Sequence, residues 1–155
     1  MEAGKGPACA PVVRGLRSAR THRNQTMTHR FAIRVHYEDT DMGGIVYHAN
    51  YLKFIERARS DWVRQMGIDQ LAMKADSGRV FAVHRIECDY LATAGFDDRL
   101  EVATRVQSVS GARLVMEQKV WRDHTLLFTA LVTVVCITDT GQPARLPANI
   151  RRILH

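Results

Sequence analysis

The spacing of apolar residues changes from a helical period to a strand period after Gly67, and this change limits the folds open to the chain. From Asn50 onward, apolar residues recur every three or four positions, which predicts one buried face of a helix. Gly67 follows this stretch, and glycine is a common helix stop. The spacing therefore predicts one long helix between these two residues. Its apolar stripe consists of Tyr51, Phe54, Ile55, Ala58, Trp62, Val63 and Met66.

Beyond this helix the apolar residues alternate with polar ones, which is the period of a half-buried strand. Four strands are predicted there, separated by turn residues such as Ser110-Gly111, and a further strand is predicted before the helix. The order β-α-β-β-β-β indicates an α+β fold in which one long helix is wrapped by a single antiparallel sheet. The predicted strands cover residues 31–37, 79–91, 99–107, 114–120 and 125–138.

A single sheet around one helix leaves apolar surface and a strand edge without cover. Trp121 and the apolar strand over residues 125–138 offer more surface than one helix can bury. Because an exposed edge favours pairing with a second copy of the chain, we expect a homodimer that assembles further to a tetramer.

The net charge of +6 is concentrated near the N-terminus. Residues 1–26 hold five cations and only Glu2 as an acid, so they carry +4 and leave +2 for the remainder, which does not favour a nucleic-acid partner. This leader is compatible with a transit peptide, an interaction tail or an upstream start codon, and it lacks the apolar core of a secretory signal. We expect residues 1–26 to be a disordered leader or an upstream extension, and residues 27–155 to form one domain.

The cysteines and the hydropathy favour a cytoplasmic protein. Cys9, Cys88 and Cys136 are odd in number and have no metal or redox spacing, which indicates reduced thiols. No segment reaches the roughly 18 consecutive apolar residues that a membrane span requires. We therefore expect a cytoplasmic location and no transmembrane segment.

An acidic turn leads directly into the predicted helix. Glu38, Asp39 and Asp41 lie within four positions and are followed by Gly43-Gly44 and then by His48. A carboxylate and a helix N-terminus are thus separated by only a few residues, and a helix N-terminus attracts negative charge. Taken alone, Asp41 before two glycines also fits an Asx turn that only satisfies backbone amides.

The residues around this turn resemble a family signature. They are Tyr37-Glu38-Asp39-Thr40-Asp41, Gly43-Gly44, Val46-Tyr47-His48-Ala49, Tyr51, Phe54 and Glu56-Arg57-Ala58-Arg59. This pattern is similar to that of the Tol-Pal system-associated acyl-CoA thioesterases, which are hot-dog-fold hydrolases related to the 4-hydroxybenzoyl-CoA thioesterases. The similarity covers residues 31–155 and leaves residues 1–26 unmatched.

The resemblance implies a hot-dog fold and roles for individual residues. Asp41 stands at the position of the catalytic carboxylate. His48 opens the helix whose backbone N–H points at the thioester carbonyl, and its side chain is taken to assist catalysis. Tyr37 is counted with these catalytic residues and lines the same pocket. The residues expected to bind substrate are Tyr47, Tyr51, Phe54 and Glu56.

The chemistry of a thioester suits these residues. A thiolate leaves readily, so the enzyme needs to supply an attacking oxygen and to stabilise an oxyanion. Asp41 could activate water as a general base or attack the carbonyl itself, and the sequence leaves both routes open. The resemblance implies an acyl-CoA substrate with a short aliphatic or aromatic, hydroxybenzoyl-type acyl group. It implies no metal or organic cofactor, and it implies envelope proteins or acyl carrier protein as further partners.

Two other functions remain open. Glu38, Asp39, Asp41 and His48 could surround a divalent ion, although their spacing fits no metal-binding loop, and resistance to EDTA would argue against this function. A non-catalytic acyl-CoA-binding or scaffold protein of the cell envelope would instead bind coenzyme A without turnover. The tyrosines and Glu56 are also compatible with purely structural roles.

Overall fold

Five strands and three helices form the part of the chain that the computed structural model describes, residues 27–154. The strands are β1 (His29–Arg34), β2 (Val80–Tyr90), β3 (Arg99–Val109), β4 (Arg113–Arg122) and β5 (Thr125–Ile137). The helices are α1 (Asn50–Gln65), α2 (Gln70–Ser77) and α3 (Ala148–Arg151), with a single 3-10 turn at Tyr37–Asp39. The expectations for residues 1–26, including a free Cys9, lie outside the described residues. None of the helices described is long and apolar enough to cross a membrane.

The strands form one antiparallel sheet in the order β1-β3-β4-β5-β2. The predicted α+β architecture, with one long helix against a single antiparallel sheet, is therefore confirmed. The first strand is shorter than expected, because it ends at Arg34 and Tyr37 begins the 3-10 turn. In this sheet β2 is an edge strand that pairs only with β5.

The helix α2 was not predicted from the sequence. It has only eight residues and a single buried side chain, Met73, so it carries no clear apolar stripe. Its ends are nevertheless well specified. The Asp69 carboxylate accepts hydrogen bonds from the amides of Leu71 and Ala72, and Gly78 closes the helix with a φ of 65°.

The core lies between α1 and the inner face of the sheet. Phe54, Ile55 and Ala58 of the helix are completely buried, as the predicted stripe requires. Burial of a side chain such as Phe54 contributes about 1.5–3 kcal/mol relative to its exposure. The strand residues that face the helix include Leu100, Val102, Val106, Leu114, Met116 and Val120.

A buried polar network also joins α1 to the sheet. Gln118 of β4 has no exposed surface, and its amide nitrogen donates to the carbonyl of Ile55 and to the hydroxyl of Thr104, both at 2.9 Å. The amide oxygen accepts a hydrogen bond from the guanidinium of Arg59 at 2.8 Å. This network fixes where α1 lies along the sheet, and therefore where its N-terminus points.

The loop after β2 supports the segment that precedes α1. The Val46 amide donates to the Ala94 carbonyl at 2.8 Å, and Ile45 forms a bridge with Gly95. The Asp98 carboxylate closes this loop, because it accepts hydrogen bonds from the Gly95 amide and from the Arg122 guanidinium, both at 2.8 Å. These contacts anchor the segment before α1 to the loop that follows β2, and Arg122 at the end of β4 holds that loop.

Candidate active site

Asp41 lies in a tight loop immediately before α1. Its amide donates to the Ile45 carbonyl at 2.9 Å, and its carbonyl accepts from the Gly44 amide at 3.0 Å. Gly44 has a φ of 74°, a conformation that residues with a side chain rarely adopt. A bridge between Thr40 and Val46 closes the loop. This geometry presents the Asp41 side chain at the surface, beside the start of the helix.

The two oxygens of the Asp41 carboxylate have different environments. Oδ1 accepts a hydrogen bond from the Gly43 amide at 2.8 Å, so the Asx turn considered from the sequence is present. Oδ2 has no donor among the described residues and remains available to a substrate or a water molecule. Gly43 is tightly placed, since a Cβ there would lie 3.1 Å from Oδ1. The structural role of Asp41 therefore leaves one oxygen free for chemistry.

His48 lies in the turn that leads into α1. The helix begins at Asn50, and no side chain caps its N-terminus. Within the described part of the chain, the His48 amide has no acceptor. A free amide at this end of a helix points positive charge at its surroundings. The His48 amide is therefore suited to stabilise a developing oxyanion.

Asp39 has a structural role in the loop before α1. Its carboxylate is buried and accepts from the His36 amide at 2.8 Å. Its carbonyl accepts from the Tyr47 amide and from the side chain of Asn50, both at 2.9 Å. Glu38 is exposed to solvent. Neither Glu38 nor Asp39 lines the two depressions that Asp41 borders.

A cleft of about 360 Å³ brings Asp41, His48 and Tyr51 together. Burial raises the pKa of the Tyr51 phenol, so this hydroxyl remains protonated at neutral pH. The cleft thus combines a carboxylate, a helix N-terminus and an apolar aromatic wall. The remaining lining residues are Ile45, Val46, Tyr90, Leu91, Ala92 and Thr93.

Tyr37 and Tyr47 lie outside this cleft. Tyr37 is 83% exposed and packs edge-on against Phe96, at a centroid distance of 6.4 Å, in a separate depression on the other side of Asp41. The Tyr47 ring lies 4.4 Å from the His48 ring and is about half exposed. Both tyrosines are close to the site, but neither shares the cleft that holds His48.

Phe54 and Glu56 are farther from the cleft within one chain. Phe54 is fully buried next to Tyr51, so a substrate contact with its side chain would require the core to open. Glu56 lines a different, mostly apolar cavity of about 200 Å³ together with Arg59 and residues of β2. The Glu56 carboxylate accepts a hydrogen bond from the Ser60 hydroxyl at 2.6 Å.

The family to which the chain belongs is decided by a match to most of its length. The model of the thioesterase-like superfamily matches residues 35–154, a range that includes Asp41, His48 and the cleft. The chain belongs to the thioesterase-like superfamily. The prediction that it is a thioester hydrolase of the hot-dog fold is thereby confirmed.

Individual thioesterases resemble the chain over nearly their whole length. It is 39% identical to the acyl-CoA thioesterase YbgC of Haemophilus influenzae, covering 81% of this chain and 93% of that relative. It is 42% identical to the acyl-CoA thioester hydrolase YbgC of Escherichia coli O157:H7, covering 81% of this chain and 94% of that relative.

Solved thioesterase structures share the fold. A probable thioesterase from Bartonella henselae superimposes with a TM-score of 0.75 at 36% identity, covering 78% of this chain and all of that one. A 1,4-dihydroxy-2-naphthoyl-CoA thioesterase from Synechocystis gives the same TM-score at 22% identity, covering 83% of this chain and 96% of that one. At that identity the likeness concerns the fold alone.

Sequence reasoning missed several residues that build the site of this thioesterase. Tyr90 lines the cleft, and Asp98 and Arg122 hold the loop behind it. Hydrogen bonding from the Gly95 amide, together with the Arg122 guanidinium, lowers the pKa of the Asp98 carboxyl. The only sequence signal for this cluster was the pair of acidic residues Asp97 and Asp98 directly before a predicted strand.

Proposed function

We propose that this thioesterase hydrolyses acyl-CoA, with Asp41 and the N-terminus of α1 as its catalytic groups. The proposal is carried by one observation. Asp41, which has one free carboxylate oxygen, and His48, whose amide is unpaired among the described residues, line the same cleft. An acyl-CoA substrate is supported by the names of the YbgC relatives from Haemophilus influenzae and Escherichia coli.

The mechanism needs few groups because a thioester is already reactive. In the general-base route, Asp41 takes a proton from water while the water oxygen attacks the thioester carbon. In the nucleophilic route, Asp41 attacks the thioester carbon, coenzyme A is expelled as the mixed anhydride forms, and water then hydrolyses that anhydride. In both routes the carbonyl oxygen gains negative charge next to the His48 amide. The C–S bond then breaks, and coenzyme A leaves as a thiolate that takes up a proton.

The proposed enzyme is a homodimer that pairs through β2. This strand is eleven residues long, and among the described residues it has a partner on one side only. If two copies paired antiparallel across a two-fold axis, the Tyr90 end of one β2 would lie near the Val80 end of the other. The Glu56 cavity lies beside Phe81, near that second end. Glu56 of the partner subunit would then complete the substrate site, as part of the dimer or of a larger tetramer.

The proposed substrates carry a short aliphatic or an aromatic, hydroxybenzoyl-type acyl group. The cavity beside Glu56 is small and mostly apolar, and it has polar groups at only a few points of its lining. Tyr51 adds an aromatic wall at the thioester end. A short or flat acyl group suits such a space, whereas a long flexible chain would need an exit.

A thiol-release assay on a panel of acyl-CoAs tests the function. The panel contains short aliphatic, long aliphatic and hydroxybenzoyl thioesters, and each is measured with and without EDTA. We expect turnover of the short or aromatic members that EDTA does not reduce. Loss of activity with EDTA would favour the metal-dependent alternative. Coenzyme A binding without turnover of any member would favour the non-catalytic acyl-CoA-binding or scaffold alternative.

We propose that the enzyme is cytoplasmic and has partners in the cell envelope. Association with the Tol-Pal envelope system, and acyl carrier protein as a further partner, rest on the resemblance of the sequence motif alone. A cytoplasmic location rests on the use of cysteine, and within the described residues Cys88 and Cys136 are both free thiols. Co-purification of the tagged protein from a native host would test these partners directly.

A further inference from the structure

Tyr90 is the last residue of β2, and it reaches across to the start of α1. Its hydroxyl donates a hydrogen bond to the main-chain carbonyl of His48, with 3.0 Å between the oxygen atoms. We propose that Tyr90 is a positioning residue: it holds the peptide group that follows His48, and with it the main-chain torsion at His48 that aims the His48 amide at the substrate carbonyl. This inference rests on the proposed function, because it assigns a role in forming the oxyanion site.

Among the described residues, each of the two peptide groups that flank His48 is held by one hydrogen bond. His48 lies before the helix, in a turn, so regular helical hydrogen bonds do not hold it. The Asn50 amide donates to the Tyr47 carbonyl at 2.8 Å, and the Leu52 amide donates to the Ala49 carbonyl at 3.2 Å. Over residues 27–154, the Tyr90 hydroxyl is the only donor to the His48 carbonyl.

Tyr90 can act as a fixed support because its ring is itself held in place. The ring packs edge-on against Tyr51 at a centroid distance of 5.7 Å and against Phe128 at 5.1 Å. Tyr51 and Phe128 are stacked on each other and are almost completely buried. Tyr90 itself is 48% exposed, and its hydroxyl extends from this buried aromatic pair towards the peptide group that follows His48.

The protonation of Tyr90 agrees with a role as a donor. Desolvation by burial raises the pKa of its phenol, and the nearby Cys88 thiol acts in the same direction. The hydroxyl therefore keeps its proton throughout the neutral range. A neutral hydrogen bond of this kind, acting on the geometry of the transition state, is expected to change the rate by about three- to tenfold.

The substitution Tyr90→Phe tests the inference, because it removes the donor and keeps the ring. We expect kcat to fall about three- to tenfold while KM changes by less than about twofold, since an oxyanion contact acts in the transition state. Ser77→Ala is the matched control. It removes a hydroxyl that donates to the Met73 carbonyl at 2.8 Å in α2, outside the cleft, and should leave kcat unchanged. An unchanged kcat in Tyr90→Phe, or an effect on KM alone, would overturn the inference.

A second measurement reads the same geometry without turnover. In ¹⁵N-labelled protein, Tyr90→Phe should shift the amide resonances of His48 and Ala49 and speed their hydrogen exchange, whereas Ser77→Ala should leave both unaffected. Unchanged amides in Tyr90→Phe would overturn the positioning role even if the enzyme is active. If the wild type hydrolyses no thioester, the proposed function fails, and the amide spectra still decide whether Tyr90 holds His48.

Discussion

The buried amide of Gln118 predicts a large and specific loss of stability when it is replaced by leucine. Leucine fills a similar volume, so the substitution Gln118→Leu leaves no large cavity, but it removes three hydrogen bonds. The Arg59 guanidinium and the Thr104 hydroxyl would then lose their partner inside the protein. At about 1–3 kcal/mol for each of these two groups, the expected cost is about 2–6 kcal/mol, with a central value of about 3–4 kcal/mol.

Thermal and urea unfolding measure this cost. For a domain of this size, about 3–4 kcal/mol corresponds to a fall in Tm of about 10–15 °C. The control is Gln107→Leu on the neighbouring strand, where the same change affects an exposed side chain whose bond to Glu117 is 3.4 Å long. We expect the control to stay within about 0.5 kcal/mol of the wild type.

A double substitution separates loss of the network from loss of packing. Burial lowers the pKa of Arg59, which indicates that its charge is held at an energetic cost. Arg59→Met should therefore recover part of the stability lost in Gln118→Leu, because both partners are then apolar. A Gln118→Leu variant within about 1 kcal/mol of the wild type would refute this reasoning, as would strictly additive losses in the double variant.

Three further predictions concern the site. Gly43→Ala places a Cβ 3.1 Å from the Asp41 Oδ1, so it should lower kcat about three- to tenfold with little change in Tm. The control Gly111→Ala adds a Cβ that meets no atom within 4 Å and should leave kcat unchanged. His48→Ala keeps the backbone amide, so steady-state kinetics should show a smaller loss of kcat than in Asp41→Asn, and an equal or larger loss would place the chemistry on the imidazole. The pKa of Asp98 is lower in the folded protein than in the unfolded chain, so its ionised carboxylate stabilises the fold above about pH 4. This contribution is lost as the pH falls through the pKa of the folded protein. The Tm difference between wild type and Asp98→Asn should therefore shrink between pH 7 and pH 3, and a constant difference would contradict this assignment.

The elements with a clear period were predictable, and the phase of each period also indicates which side chains face the core. The alternation in β4 correctly places Leu114, Met116 and Val120 on the buried face. Gln118 has the same phase, so the sequence already placed a polar amide in the core, where it would need partners. Its partners Arg59 and Thr104 could not be named, because they come from other elements.

Local sequence patterns predict burial in the core better than they predict contacts between distant elements. Phe54 occupies the centre of the helical stripe, and the stripe alone indicates that its side chain packs in the core of the chain. Tyr90 was not predictable as a neighbour of His48, because the contact depends on the far end of β2, after a register shift between Val83 and Arg85. Pairing between strands distant in the sequence sets such contacts, and local periodicity does not encode it.

The most direct test of the account compares kcat/KM for the wild type, Asp41→Asn and the control Asp123→Asn on the best acyl-CoA of the panel. Asparagine can still accept the hydrogen bond from the Gly43 amide, so the loop should keep its shape, and Asp123 has a φ of 52°, which asparagine tolerates. The account predicts a loss of about 10²- to 10⁴-fold in Asp41→Asn, with an unchanged Tm and a fully active control. A folded Asp41→Asn variant with nearly wild-type kcat/KM would contradict the assignment of Asp41 as the catalytic carboxylate.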